Sequence, residues 1–332
     1  MIILGIETSC DETSSSILKD GEILSNIIFS QEEHAIYGGV IPEIASKNHE
    51  KLLYDIVKKS IVSSKIKISD IAAISVTCGP GLVSSLMVGI NFAKGMALGL
   101  NIPIIGINHL EGHILSNFIN NNEIIEYPFL SLLVSGGHTQ IIFVEKDKYS
   151  IIAKTVDDAA GEAFDKGAKI LGFKYPGGPE IEKAAKNGDS SKYKFKIPNV
   201  KSNNKDFSFS GIKTALFYLT RDMSLVDLKT NLNSIAASYQ KVIIDTLLQK
   251  LHICLQAYKV NKVCIVGGVS ANKYFRERAK NFSMKNDNII IQFPDFKFCT
   301  DNAAMIAMTG YIKLKKKYNY SRNIYPDPNL NF

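Results

Sequence analysis

The chain has 332 residues, of which 45% are hydrophobic and 21% are charged, and its formal net charge is +7. This length exceeds what one hydrophobic core usually supports, so two lobes are expected. No apolar run approaches the roughly 20 residues of a membrane-spanning helix. The first residues resemble a buried strand rather than a signal peptide, which predicts a cytoplasmic protein without a membrane partner.

The five cysteines are widely separated and include no C-x-x-C pair. This spacing predicts reduced thiols rather than a disulfide framework or a zinc ribbon. The positive net charge is compatible with an anionic partner such as RNA, although many basic proteins simply have a lysine-rich surface.

Hydrophobic periodicity in the first part of the chain predicts a mixture of strands and helices. The predicted strands cover residues 2–8, 15–18, 22–30, 71–77 and 102–107, and the predicted helices cover 42–64 and a small-residue stretch that ends at 100. A polar turn, residues 8–13 (TSCDET), separates the first two strands.

Two histidines, His109 and His113, follow the strand 102–107 at the spacing i, i+4. On a helix both imidazoles project from one face, which is a metal-ligand spacing, but ordinary surface or core histidines fit the same pattern. Glu111 lies two positions after His109, whereas the metalloprotease pattern H-E-x-x-H places its glutamate next to the first histidine. The spacing argues against such a protease, and a third ligand must come from elsewhere.

The strand pattern of the N-terminus begins again near residue 128. Predicted strands cover 129–134, 140–145 and 149–156, with a small polar turn, 135–139 (SGGHT), after the first. This predicts a duplicated α/β fold, with two related lobes facing each other across a cleft. The turn and a second glycine-rich turn at 266–272 (VGGVSAN) have backbone amides suited to phosphate, although plain turn chemistry is the more common explanation of each.

Residues 157–166 are predicted to begin a helix with Asp157 and Asp158 in its first turn. Capping explains those two residues but not Asp165, which is a candidate for binding ribose hydroxyls. The sequence YPGGP at 175–179 predicts a rigid loop that contacts a sugar or base or is simply a structural turn.

Lysines alternate with aromatic residues at 192–196 (KYKFK). As a strand this segment has its lysines on one face, which suits contact with an RNA backbone and equally suits an amphipathic edge strand.

A long helix is predicted at 224–259, strands at 262–266 and 288–293, and a terminal helix that begins within 299–305 (CTDNAAM). Thr300 is a candidate cap, with Asp301 in the first turn. Asp301 is also the best-placed carboxylate to join His109 and His113 if the terminal helix packs back across the cleft. Two histidines and one carboxylate suit Fe(II) first and Zn(II) second.

Eight motifs together resemble the bacterial tRNA adenosine threonylcarbamoyltransferase family. They occur in order along nearly the whole chain: 7–13 (ETSCDET), 108–113 (NHLEGH), 134–139 (VSGGHT), 161–166 (GEAFDK), 175–179 (YPGGP), 207–211 (FSFSG), 267–272 (GGVSAN) and 299–305 (CTDNAAM). Each motif is weak alone, but eight in order are specific.

The resemblance implies the actin-like, sugar-kinase-like (RNase H-like) fold. Its first lobe is expected at 1–127, completed by a C-terminal helix at about 301–318, and its second at 128–300. The implied reaction transfers the threonylcarbamoyl group of threonylcarbamoyl-AMP to N6 of adenosine 37 in tRNAs that read codons beginning with A. The implied partners are tRNA, a smaller inactive paralogue and a small P-loop ATPase.

The resemblance also implies roles for individual residues. Asp11 and Glu12 are candidates for the catalytic step, and the metal ligands are His109, His113 and Asp301. The residues implied to bind the nucleotide substrate are Leu133, Val134, Ser135, Gly136 and Gly137 at the phosphates and Asp165, Gly178, Glu182 and Asn272 at the adenosine and ribose.

Two other classes of function compete with this one. A kinase of the same fold needs a catalytic aspartate in the second lobe but no histidine pair, and an O-carbamoyltransferase has a much longer chain. A binding module like the inactive paralogue lacks the metal histidines, which are present here.

Overall fold

The structure is a computed structural model and describes residues 1–37, 39–119, 126–146, 148–286, 288–316 and 323–332. The chain divides into two compact units, Met1–Ile124 with Pro294–Phe332 and Ile125–Phe293. The predicted α/β class is confirmed, because strands and helices alternate in both units.

Each unit contains one five-stranded sheet. The strands are β1 Ile2–Glu7, β2 Glu12–Lys19, β3 Glu22–Ser30, β4 Ala73–Gly79, β5 Ile104–Asn108, β6 Phe129–Val134, β7 Thr139–Glu145, β8 Lys148–Lys154, β9 Lys262–Val266 and β10 Ile290–Gln292. The helices are α1 His34–Tyr37, α2 Pro42–Ser64, α3 Val83–Leu100, α4 His109–Leu115, α5 Ala160–Ile170, α6 Gly177–Ala185, α7 Ser210–Arg221, α8 Leu225–Tyr258, α9 Lys273–Lys285 and α10 Ala303–Lys315.

The two sheets have the same topology. The first has the order β3-β2-β1-β4-β5 and the second the order β8-β7-β6-β9-β10. In each sheet, the first three strands form an antiparallel meander. The fourth strand pairs in parallel with the first, and the fifth pairs in parallel with the fourth. The duplication predicted from the sequence is therefore present.

Strand β1 is buried on both faces, which explains its continuous apolar sequence. Leu4 and Ile6 pack with Leu86 of α3 on one side. Ile3 packs with Ala307 and other residues of α10 on the other side. The C-terminal helix is thus an integral layer of the first unit, and it lies against the strand that leads into the polar turn at residues 8–11.

The second unit has its core between β6 and the long helix α8. Leu132 and Val134 of β6 share one cluster with Ile243 and Leu247 of α8, and Phe164 of α5 packs in the same cluster. This packing holds the C-terminal end of β6 and the N-terminal end of α5 in place.

Helix α3 has the length and apolar composition of a membrane span, with a mean hydropathy of 1.4 over its 18 residues. It is the one described helix that meets this criterion, which the core helices of soluble proteins also meet. Its buried residues, including Leu86 and Ile90, pack in the first core.

Three local predictions differ from the structure. Asp157 and Asp158 precede α5 rather than lie in its first turn, and the Asp157 carboxylate accepts the backbone N–H groups of Phe209 and Ser210 at the start of α7 (2.7 and 3.3 Å). The segment 192–196 is not a strand. Asn302, not Thr300, caps the terminal helix, because its side chain accepts the N–H of Met305.

Asp301 therefore precedes the cap and lies outside the first turn of α10. The predicted terminal helix extended to about residue 318, and positions 317 and 318 lie outside the described residues.

Gly89 marks a close approach between α3 and the end of β1. A Cβ atom added there would lie 2.3 Å from Thr8 Oγ1, whose hydroxyl donates to the carbonyl of Ser85. Gly95 lies on the exposed side of the same helix, and an added Cβ would meet no described atom within 4 Å.

We expect Gly89→Ala to lower the free energy of unfolding by about 1–3 kcal/mol, because the added methyl group displaces Thr8. Gly95→Ala is the matched control and should raise it by about 0.5–1 kcal/mol, because alanine lowers the backbone entropy of the unfolded chain. Urea denaturation of both variants measures the difference. Equal stability of the two variants would show that the contact with Thr8 does not limit the packing of α3.

Candidate functional site

The histidine pair lies at the start of a short helix that follows a parallel strand. Asn108 ends β5 and caps α4, since its side-chain oxygen accepts the N–H groups of Leu110 and Glu111 (2.9 and 3.2 Å). Because the helix begins at His109, both histidines fall on one face, and their ring centroids are 4.7 Å apart. Both side chains are buried, at 8% and 1% exposure.

Asp301 reaches this pair from the segment that precedes α10. Its Oδ1 lies 3.1 Å from His113 Nε2 and 3.5 Å from His109 Nε2. Metal–ligand bonds of about 2.1 Å give ligand–ligand distances of about 3.0 Å at right angles and about 3.4 Å at tetrahedral angles. One ligand atom from each of the three residues lies within 4.8 Å of the others, so the donor set fits a small divalent cation.

The second ring nitrogen of His109 is held by a buried carboxylate. Nδ1 lies 3.1 Å from Glu7 Oε2 and 3.1 Å from Ser9 Oγ. Glu7 also accepts hydrogen bonds from the Thr77 hydroxyl (2.6 Å) and the Ser9 N–H. With Nδ1–H directed at Glu7, the Nε2 lone pair is directed at Asp301, which is the orientation that a carboxylate gives to a metal-binding histidine.

The electrostatics of the cluster favour a positive charge at its centre. Burial disfavours every charged form here, but the attraction of Asp301 and Glu7 raises the pKa of His109 well above its usual range. Although burial opposes it, the same attraction holds the pKa of Asp301 well below its usual range and lowers the pKa of Glu7. Two carboxylates therefore enclose one imidazolium, and a cation bound at Nε2 would take the place of its proton.

Glu12 begins β2 and Asp11 directly precedes it, in the same unit as this cluster. Burial, followed by the negative charges of Asp301 and Asp11, raises the pKa of Glu12 well above its usual range. The charge of Asp301 thus acts directly on Glu12, which connects the predicted catalytic pair electrostatically to the predicted metal ligands.

In the second unit, the predicted phosphate turn is built from three segments. Gly161 donates its N–H to the carbonyl of Ser135 (3.1 Å), and a Cβ atom on Gly161 would lie 2.6 Å from that oxygen. Gly267 has a φ of +91°, and its Cβ atom would lie 2.4 Å from the carbonyl oxygen of Val134. Only glycine allows α5 and the end of β9 to approach the turn this closely.

The tip of the same turn is open. Cβ atoms added to Gly136 and Gly137 would meet no described atom within 4 Å, so the backbone there is accessible to a ligand. Leu133 and Val134 are fully buried at the end of β6 and pair with β7, so they support the turn from within the sheet. The arrangement suits an anion that approaches a bare backbone.

The four residues predicted to hold adenosine and ribose have structural partners in the same unit. Asp165 accepts the N–H of Gly177 (2.7 Å) at the start of α6, and burial raises the pKa of Asp165. Gly178 lies in the first turn of α6 rather than in a loop.

Glu182 and Asn272 both act at the start of α9. Glu182 accepts the N–H of Lys273 (2.7 Å), and Asn272 caps the helix through the N–H of Phe275 (2.8 Å). Asn272 also donates to the side chain of Gln240 (2.8 Å). These contacts join α5, α6, α8 and α9 into one frame, while the ligand-binding role of the four residues stays a prediction.

The sequence analysis did not identify Glu7, Ser9 and Thr77 as site residues. A signal was present for Glu7, since a glutamate that ends a fully apolar strand needs a partner for its charge. Ser9 and Thr77 have no comparable signal, because their roles depend on the parallel pairing of β1 with β4.

Comparison with solved structures defines the class of fold. Full-length HypF in the phosphate- and nucleotide-bound form aligns with a TM-score of 0.63 at 13% identity over 96% of this chain and 47% of that one. The activator of the 2-hydroxyisocaproyl-CoA dehydratase from Clostridium difficile, with bound ADPNP, aligns with a TM-score of 0.52 at 16% identity, over 97% and 100%. The chain is an α/β protein of the actin-like class.

Comparison of sequences defines the family. Residues 22–308 match the family model described as TsaD: tRNA N6-adenosine threonylcarbamoyltransferase. A protein of that name from Thermosipho africanus is 48% identical over 334 residues, which cover 99% of each chain, and one from Kosmotoga olearia is 46% identical over 95% and 94%. The chain belongs to the tRNA N6-adenosine threonylcarbamoyltransferase family and is a transferase, as the sequence motifs indicated.

The charge balance of the histidine cluster predicts proton release on metal uptake. Because the pKa of His109 is raised, the metal-free protein keeps this proton at neutral pH, and a divalent cation displaces it. The apparent affinity for Zn²⁺ should therefore rise about tenfold per pH unit up to the raised pKa of His109. Calorimetry in buffers of different ionisation enthalpy measures the released protons.

Glu7→Gln is the informative variant in this experiment. Removing one of the two charges that raise the pKa of His109 should reduce the proton release at neutral pH. An affinity independent of pH, or a release unchanged in Glu7→Gln, would contradict this account of the cluster.

Proposed function

We propose that this protein transfers the threonylcarbamoyl group from threonylcarbamoyl-AMP to N6 of adenosine 37 in tRNAs that read codons beginning with A, and releases AMP. The observation that carries the proposal is the buried convergence of His109, His113 and Asp301 in a chain of this family. The family name supplies the group and the acceptor atom, and the resemblance of the motifs supplies the donor and the tRNA position.

The donor is a mixed anhydride of a carbamic acid and a phosphate and is already activated. The adenosine amine attacks the carbonyl carbon, the bond from that carbon to the phosphate oxygen breaks, and AMP leaves with the bonding electrons. No acyl-enzyme is required. The chemistry of Cys10 agrees with this, since burial and the nearby charges of Asp11 and Asp301 raise the pKa of its thiol and disfavour the nucleophilic thiolate.

The residues of the first unit would hold the metal and provide a general base. His109, His113 and Asp301 would hold one divalent cation, Fe²⁺ first and Zn²⁺ second, which supplies a Lewis acid for the negative charge that develops during transfer. Glu7 keeps His109 in the binding tautomer. Glu12, with Asp11 beside it, is our candidate for accepting the amine proton, because an ionised carboxylate can act as a general base for an amine.

The residues of the second unit would bind the adenylate. We assign the phosphate to the bare backbone at Ser135, Gly136 and Gly137, beside Leu133 and Val134. We assign the adenosine and ribose to Asp165, Gly178, Glu182 and Asn272, whose mutual bracing through α6 and α9 gives a rigid surface. Rigid placement is the main contribution an enzyme makes to a reaction whose donor is preactivated.

The remaining assignments rest on the family resemblance. We propose a cytoplasmic enzyme that acts together with a smaller inactive paralogue and a small P-loop ATPase. The exposed side chains of Lys194 and Lys196 are our candidates for contact with the tRNA backbone, since Tyr193 and Phe195, which alternate with them, are turned toward the core. Exposed lysines and half-buried aromatic rings thus alternate in this segment, as in an amphipathic strand, although the segment is not a strand.

Asp301→Asn should abolish both the bound metal and the formation of threonylcarbamoyladenosine. The amide has the same shape, but it lacks the negative charge that the cation requires. The test is nucleoside analysis of tRNA incubated with threonine, bicarbonate, ATP and the presumed partner proteins, together with metal analysis. His109→Ala combined with His113→Ala should give the same result.

His252→Ala is the control, because this histidine lies on α8 in the second unit and should leave metal and activity unchanged. Full transfer by Asp301→Asn would contradict the metal assignment. A wild-type protein that modifies no tRNA but phosphorylates a sugar would favour the kinase alternative.

Lys194→Glu combined with Lys196→Glu should weaken tRNA binding and reduce the slope of log affinity against log salt by about two, one for each lost phosphate contact. Filter binding of the protein at several salt concentrations measures both quantities. Lys58→Glu combined with Lys59→Glu, on the exposed side of α2, is matched in charge and should change the affinity much less. Equal effects of the two double variants would show that only net charge matters.

A further inference from the structure

The turn between β1 and β2 is held by three different parts of the first unit. Three successive backbone carbonyls, those of Ser9, Cys10 and Asp11, each accept one hydrogen bond. The donors are the N–H of Leu82 (2.8 Å), Nε2 of His49 (2.9 Å) and the N–H of Gln31 (3.2 Å), respectively. The backbone on both sides of Asp11 and Glu12 is therefore fixed from outside the turn.

His49 is the side chain that spans this turn. It lies on α2, is fully buried, and its Nδ1 is 2.7 Å from the Thr13 hydroxyl, while Nε2 contacts Cys10. Since a carbonyl oxygen only accepts, Nε2 carries the hydrogen, and Nδ1 accepts from Thr13. One neutral imidazole thus connects the residue before Asp11 to the residue after Glu12.

A second layer keeps this part of α2 and the turn together. Asn48, the neighbour of His49, donates to the side-chain oxygen of Gln31 (3.2 Å), which also contacts His34 Nε2 (3.1 Å). The side chain of Gln31 donates in turn to the carbonyl of Ala45 on α2 (3.2 Å). Every step from the helix to the turn is a hydrogen bond between buried or half-buried groups, which resists small displacements.

We propose that His49 is a positioning residue for the transfer reaction, which sets the direction of the Asp11 and Glu12 side chains. This inference rests on the proposed function, because it assumes that these carboxylates act on the adenosine amine. His49 does not contact the His109, His113 and Asp301 cluster in any described hydrogen bond, so it acts on the carboxylates without acting as a metal ligand.

His49→Ala should lower kcat for tRNA modification by about tenfold to a hundredfold, as expected when a reacting group is misplaced by about an ångström. The KM for tRNA and the metal content should stay unchanged. His49→Gln should restore part of the rate, because its side-chain amide presents a donor near the position of Nε2 but lacks the Nδ1 acceptor of the Thr13 hydroxyl. A purely structural role predicts no such separation of kcat from KM.

Thr13→Val and Thr13→Ser test the other end of the same contact. The valine removes the hydroxyl that donates to Nδ1, and the serine keeps it, so kcat should fall only in the valine variant. This pair carries the test if His49→Ala does not fold.

The decisive measurement is a double-mutant cycle with Glu12→Gln. If His49 acts through Glu12, then His49→Ala should cause no further loss of kcat in the Glu12→Gln protein. Additive losses, or a His49→Ala protein with the wild-type kcat, would overturn the inference while leaving the proposed function intact. A wild-type protein that forms no threonylcarbamoyladenosine would instead overturn the proposed function itself.

Discussion

The imidazole of His109 lies between the buried carboxylate of Glu7 and the half-buried carboxylate of Asp301, and much of the first unit is arranged around this interaction. Glu7 comes from the end of β1, His109 from the start of α4, and Asp301 from the segment before α10. Burying two negative charges so close together is unfavourable unless a positive charge compensates them. The two carboxylates raise the pKa of His109, which favours a proton there, and the geometry of the donors suits a divalent cation in the same place.

The duplication explains where the functional groups occur. The end of β1 leads into the turn with Glu7, Asp11 and Glu12, and the end of β6, its counterpart in the second sheet, leads into the glycine-rich turn at Ser135. The same position has opposite chemistry in the two units. One turn presents carboxylates, and the other presents bare backbone that suits an anion. The duplicated frame thus provides one acidic turn and one turn of open glycine backbone from a single supersecondary pattern.

Local pattern was enough to predict the strands, the duplication and the pairing of His109 with His113. It also named Asp301, although only as one possibility, because the approach of α10 to β1 depends on packing between distant segments. Local pattern was not enough where a side chain forms hydrogen bonds with a helix that is distant in the sequence. Asp157 was assigned to the helix that follows it but binds the start of α7, some fifty residues on. Thr300 and Asn302 are both good caps by residue type, and the helix begins after Asn302, where the N–H of Ala303 donates to the Ser14 hydroxyl of β2 (2.9 Å).

The first unit is discontinuous, since its sheet is formed by strands between Ile2 and Asn108, while Pro294–Phe332 supplies the helix α10 that packs on β1. His113 and Asp301 are 188 residues apart in the chain, and the entire second unit is synthesised between them. A growing polypeptide that has not yet reached residue 301 exposes the two histidines and Glu7 without the carboxylate that completes the donor set. A chain that ends before residue 301 therefore lacks both the third donor of this cluster and the helix that covers β1.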